Sequence, residues 1–130
     1  MAGFTDYTED LVLDWLLTVG AATRPTSWYA GLYTVAPTDA GGGTQVSGGS
    51  YARTAGTFTV SGTSPSTAAN SAAIEFPEAT ASWGTVVAVG IFDATTAGNL
   101  LAYANLGTSA SITTGDVLRF NAGALTVTLD

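Results

Sequence analysis

Two carboxylates stand close together outside any helical pattern, Glu75 and Glu78, on either side of Phe76-Pro77. A glycosidase of the two-carboxylate kind needs such a pair roughly 5–10 Å apart across a cleft. These two sit at the end of a strand pattern, where acids are ordinarily solvated rim residues, and spacing without a pocket is weak support for catalysis. Asp93 and Asn99 could offer oxygens to a calcium ion, but their spacing lacks the several acids and terminal Glu of an EF-hand loop. An Asx-type turn accounts for both more simply. The aromatics Trp28, Tyr29, Tyr33, Tyr51 and Trp83 could stack on sugar rings, although such residues more often anchor a core or an interface. Arg53 and Arg119 lie in or beside strand patterns, where pairing with Glu75, Asp93 or Asp116 is the ordinary role.

What the chain lacks closes most other chemistry. With no cysteine there is no thiolate nucleophile, disulfide or Cys-ligated metal. With no histidine there is no imidazole base and no His-based metal site. With no lysine there is neither a P-loop cation nor a Schiff-base amine. The glycine-rich stretch Thr38–Ser50, TDAGGGTQVSGGS, therefore lacks the lysine and the following helix of a phosphate cradle, and reads as a flexible loop. No catalytic, cofactor or metal site can be read, so the expectation is a protein that is not an enzyme.

The 130 residues suit one domain, 1–130, long enough for a real core. Only 10% of residues are charged against 46% hydrophobic, so small and hydroxyl residues must cover the surface, or an assembly must bury part of it. Ten acids against three bases give a net charge of −7. The bases Arg24, Arg53 and Arg119 are far apart in sequence, which argues against nucleic-acid binding. Leu11–Val19 is preceded by acids rather than a basic region and is interrupted by Asp14, so no secretion signal is read. Nothing approaches a transmembrane span of roughly 18 apolar residues, and no membrane insertion is expected. The expected place of synthesis is the cytoplasm.

The elements that would hold these residues are mostly strands. The chain centres on Trp83–Leu106, in which Val86–Phe92 reads as a strand covered on both faces. Leu100–Leu106 returns as its hairpin partner, with Leu100, Ala102 and Ala104 on one face and Leu101 and Tyr103 on the other. The intervening Asp93–Asn99 is turn-forming. Further strands are expected at Trp28–Ala36, apolar on both faces, and at Tyr51–Val60, Ala72–Phe76, Ser109–Thr113, Val117–Asn121 and Ala124–Leu129, with turns over Ser61–Asn70. In the last strand Leu125, Val127 and Leu129 point inward.

One helix is expected, over residues 5–19. Asp6 and Glu9 resemble a capping box, acids crowd the first turns, and Gly20 offers a stop. Leu11, Trp15 and Val19 form a stripe that Val12 and Leu16 widen. That face either packs on the β-core or also docks onto a neighbouring subunit. If Trp15 is fully buried, Trp15→Ala should cost roughly 3–5 kcal/mol. The fold class is mainly β: an antiparallel β-sandwich or jelly-roll-like domain of about eight strands over 28–130, with one N-terminal α-helix.

Several stretches taken together resemble a family of small tailed-bacteriophage virion proteins, often labelled tail-fibre-like. They are FTDYTEDLVLDWLL, TSWYAGLYTVAPTDAGGGTQVSGGSYAR, NSAAIEFPEATASWGTV, GIFDATTAGNLLAY and TTGDVLRFNAGALTVTL. The resemblance covers nearly the whole chain and keeps the order of elements, resting on Gly, aromatic and turn positions. It implies a β-rich structural protein of the virion, with other virion proteins of tail or capsid as partners and no catalytic residues to transfer. Within it two roles stay open, an adhesin-like tail or fibre component and a decoration protein on the capsid. A carbohydrate-binding module acting on a host surface glycan is the rival class, and a small carboxylate hydrolase a third. Low charge and apolar strand faces predict a closed homo-oligomer, and the resemblance implies a trimer. The residues expected at its contacts are Leu11, Trp15, Val19, Trp28, Tyr29 and Tyr33.

Overall fold

The computed structural model describes residues 2–129. In chain order the elements are β1 (Ala2–Phe4), α1 (Asp6–Leu17), β2 (Trp28–Val35), β3 (Thr44–Gln45), β4 (Thr54–Gly56), β5 (Phe58–Ser61), β6 (Ser66–Asn70), β7 (Ile74–Glu75), β8 (Gly84–Phe92), β9 (Leu100–Ile112), β10 (Arg119–Phe120) and β11 (Thr126–Leu129). The fold is mainly β with one helix, and all the strand pairs described are antiparallel. The main sheet runs β1-β9-β8-β2-β3, with β4 also beside β2. A three-stranded sheet β11-β6-β5 and the pair β10-β7 complete it.

The segmentation differs from the sequence expectation in identifiable places. Leu100–Leu106 and Ser109–Thr113 join as one long strand, β9. Tyr51–Val60 breaks into β4 and β5, and the expected turn region Ser61–Asn70 contains β6. The glycine-rich loop carries β3 and a bridge between Thr38 and Gly41. Of these, β3 and β6 escape a propensity reading because they are built of Ser, Thr, Ala, Asn and Gln. Their strand character comes from the neighbour they pair with.

Strands β2, β8 and β9 form the centre. Along β2, Ala30 and Leu32 join the larger apolar cluster with Ile74, Phe76, Trp83, Val86, Val89 and Leu125. Tyr33 faces the other way, into a small cluster with Ala88 and Phe92. The continuous apolar run of β8 is thus covered on both faces, as its composition implies. A register shift at Val87 places Val86 and Ala88 in different clusters, although they are two apart in sequence. A second shift, at Ile91/Phe92, corrects the expected alternation of β9. Leu100 packs with the Tyr33–Phe92 cluster, and Leu101 lies with Ala102 on the opposite side. A bulge inserts a residue without a partner, so the side-chain parity changes there.

The outer edge of β2 is shared by two short strands. β4 pairs with Trp28–Ala30 and β3 with Tyr33 and Val35. In the break between them the Val46 amide donates to the Leu32 carbonyl (2.9 Å), and the Leu32 amide donates to the Tyr51 hydroxyl (2.9 Å). The Tyr51 ring is held 5.4 Å from Trp83, edge to face, and stacks 6.3 Å from Phe76. Tyr51 therefore satisfies an amide that would otherwise be stranded at a buried sheet edge.

Asn70 does comparable work between layers. Its side chain donates to the carbonyls of Ala72 and Asn121 (2.9 Å each) and accepts from the Leu125 amide (2.9 Å). It is 2% exposed, and among the described residues no buried side-chain polar atom lacks a partner.

Candidate interaction surface

The helix is placed by hydroxyls rather than by a capping box. Its N-cap is Thr5, whose Oγ1 donates to the Leu100 carbonyl (2.6 Å), while Thr8 Oγ1 donates to the Leu101 carbonyl (2.7 Å). Both bonds land on the start of β9, beside its register shift with β8. The Asp6 amide donates to the Asp39 carbonyl (2.9 Å), tying the helix start to the glycine-rich loop. The expected Asp6–Glu9 box does not form, although both acids do occupy the first turn. The helix ends at Leu17, before Gly20, where the Thr18 backbone turns extended (φ −130°, ψ 174°) and its Oγ1 reaches the Asp14 carbonyl (2.7 Å) and carboxylate (2.6 Å).

Anchored at one end only, α1 forms one wall of an apolar groove of about 570 Å³. Leu11, Val12 and Trp15 face into it from the helix, and Trp28 from the start of β2. The far wall is the three-stranded sheet, through Phe58, Val60, Val127 and Leu129. Ile91, Leu101 and Ala102 form part of the lining from the main sheet, and Arg24 adds a cation. The exposed side chains are large: Trp15 is 67% exposed, Val60 73% and Leu129 58%. Trp15 is therefore not the buried core residue that a 3–5 kcal/mol loss would require.

The residues expected at contacts separate here. Leu11, Trp15 and Trp28 come together on the groove. Val19 lies past the helix end, fully exposed. Tyr29 is half-buried, on the face of β2 opposite Trp28. Tyr33 is buried, its ring 6.2 Å from that of Phe92. Val60, Val127 and Leu129 extend the groove beyond that set. Their alternation reads as strand faces in the sequence, and nothing in it distinguishes a groove wall from a closed core.

The candidate chemical residues have structural partners. Glu75 lies 3.7 Å from Arg119, its cross-strand neighbour, with both side chains more than half exposed, and neither Glu75 nor Glu78 lines a described cavity. Asp93 accepts from the Asn99 amide (2.7 Å) and side chain (2.9 Å), closing the central hairpin. Burial alone would raise the Asp93 carboxyl, but those bonds and the nearby Arg53 cation outweigh it and hold the group below its ordinary value. Asp116 accepts from the Thr113 amide (2.8 Å) in its own turn. Arg53 binds the carbonyls of Ala94 and Ala97 and the Gln45 side chain; of the acids expected for it, Asp93 feels its charge without an ion pair among the described residues. Among the described residues no group of three or more acids is placed to hold a metal ion, and no helix is long and apolar enough to cross a membrane. Tyr51 and Trp83 are core rings, which leaves Trp15 and Trp28 as the accessible aromatic surface beside the groove.

The surface is thus apolar, open and without reactive groups, the character of a contact face in an assembly. No curated protein matches the chain. A family model described as "Podophage GP4 fiber I protein gp80" matches residues 3–128. The match spans almost the whole chain, and the chain belongs to this family of phage fibre proteins, structural components of the virion.

Proposed function

We propose that the chain is a tail-fibre-like subunit that works as a closed homo-oligomer, a trimer, and joins other virion proteins through its apolar surface. The observation that carries this reading is the groove between α1 and the three-stranded sheet, with Trp15, Val60 and Leu129 largely exposed on its walls. Apolar surface of this extent is unfavourable in water and stable when a partner covers it. Closed symmetry covers it without a free sticky end. The number three comes from the resemblance to phage fibre and decoration proteins, and another closed ring would bury the same surface. Leu11, Trp15, Val19 and Trp28 are the contact residues in this reading. Tyr29 lies further off, and Tyr33 supports β2 from within.

Sedimentation equilibrium of the isolated protein at micromolar concentration tests the assembly, with a trimer expected. A folded monomer, together with single copies at its positions in an electron-microscopy map of the particle, would refute it. The same map separates a fibre or adhesin role from capsid decoration by location. Binding on a glycan array would instead point to receptor recognition through Trp15 and Trp28, which the assembly would otherwise cover.

A further inference from the structure

The groove is not the only uncovered apolar surface on α1. Leu11, Val12 and Trp15 line the groove, whereas Leu13 and Leu17 lie on the opposite side of the helix, 56% and 73% exposed. Asp10 shares that outer side, one turn before Leu13 and two before Leu17. It is exposed and has no side-chain hydrogen bond or ion pair with the described residues. The groove has the complementary character. Its lining is apolar except for a few hydroxyls and one cation, Arg24, which is exposed and equally unpartnered among the described residues.

We infer that the occupant of the groove is the outer face of α1 from a second copy of this chain, with Leu13 and Leu17 entering the groove and Asp10 meeting Arg24 across the boundary. Charge complementarity selects this occupant. An apolar stripe flanked by an acid suits a groove whose one charge is positive, and the chain itself carries that stripe. Burying Leu13 and Leu17 against apolar walls supplies the attraction, while the charge pair fixes register and direction. The two mating surfaces are different patches, so the contact is head-to-tail. It must close into a ring to give a finite oligomer.

This docking rests on the self-association proposed above, and the two can fail separately. Sedimentation equilibrium at physiological ionic strength would compare the full chain with Asp10→Arg, Arg24→Asp and the double variant. Each single reversal places like charges together and should weaken assembly roughly tenfold or more, whereas the double should return close to the wild type. Both positions are exposed, so circular dichroism should show all four chains folded alike. A second readout uses the absence of cysteine from the chain. Ala22 lies on the groove lining, so Leu13→Cys and Ala22→Cys chains should form a mixed disulfide when combined, and neither should dimerise efficiently alone. Single reversals that assemble like the wild type, a double variant as weak as the singles, or no mixed disulfide would each overturn the helix-in-groove contact while self-association stands. A monomeric wild type would overturn both.

Discussion

The guanidinium carbon of Arg53 sits 3.6 Å from the centre of the Phe92 ring. From there the group donates to the carbonyls of Ala94 (2.9 Å) and Ala97 (2.8 Å), and to Gln45 Oε1 (3.0 Å). Gln45 in turn donates to the Tyr51 hydroxyl (2.6 Å), which accepts the Leu32 amide. One cation thus links the tip of the central hairpin to the broken edge of β2. Arg53→Ala should lower folding stability by about 2–3 kcal/mol, combining a lost cation–π contact with charged hydrogen bonds. Arg53→Lys should recover only part of this, since an ammonium cannot reproduce the planar fork. Denaturant unfolding of the three chains checks the order.

The Tyr51 hydroxyl can be tested apart from its ring. Tyr51→Phe keeps the packing against Phe76 and Trp83 but leaves the Leu32 amide without an acceptor at a buried edge. A cost of about 1–3 kcal/mol is expected. Amide exchange at Leu32 should accelerate more than at Ala30, which pairs within the ladder. Equal protection of Leu32 in both proteins would remove the hydroxyl from the account.

The network packs directly over the backbone of Gly31. A Cβ there would lie 2.8 Å from Phe92 Cε1, 2.9 Å from Gln45 Nε2 and 3.1 Å from the Tyr51 hydroxyl. Gly31→Ala should therefore destabilise by roughly 1–3 kcal/mol through overpacking, despite the gain in strand propensity. A melting temperature at or above the wild-type value would contradict the close packing.

The central hairpin, the two-faced β2 and β8, the single helix and the antiparallel class were legible in the sequence, because each rests on a run of strong apolar or β-branched residues. The strand β6, built from Ser, Thr, Ala and Asn, was not legible, since pairing with β5 and β11 makes it a strand. The role of Arg53 was also hidden. Its partners are carbonyls and a ring, groups every sequence contains, and only the fold brings them together. Of the groove, the helix wall was visible as an apolar stripe. That it stays open is a tertiary fact: Thr5 and Thr8 pin the start of α1 to β9, while Trp15, Leu16 and Leu17 towards its other end stay exposed.

The Asp93 carboxyl gives a pH dependence with a definite sign. Its folded pKa lies below its ordinary value because the bonds from Asn99 and the charge of Arg53 outweigh burial. A depressed carboxyl stabilises the fold above the unfolded value, about pH 3.9, and that contribution disappears as pH falls through the folded value. Hairpin stability should thus be flat near neutrality and decline on acidification below about pH 4. Asp93→Asn should weaken the hairpin at neutral pH and flatten the decline. Amide exchange at Asn99, measured between neutral and acid pH, reports it directly. An Asn99 amide whose protection in the wild type does not change across that range would refute the linkage.

Trp15 separates folding from assembly. A core tryptophan would cost roughly 3–5 kcal/mol on truncation, but Trp15 is 67% exposed within the chain and belongs to the groove wall. Trp15→Ala should therefore change the unfolding free energy of the dissociated chain by less than about 1 kcal/mol, the range of an exposed site. Its effect should appear in association instead, where a tryptophan at the centre of an interface commonly contributes about 2 kcal/mol or more, a weakening of about thirtyfold. The measurement is paired: denaturant unfolding at a concentration below the dissociation constant, and sedimentation equilibrium above it. A large loss in the first with none in the second would return Trp15 to the core of the single chain. It would also require α1 to close over the groove, contrary to the geometry described. A loss confined to the second would place Trp15 at the subunit boundary, with folding carried by the β2–β8–β9 centre.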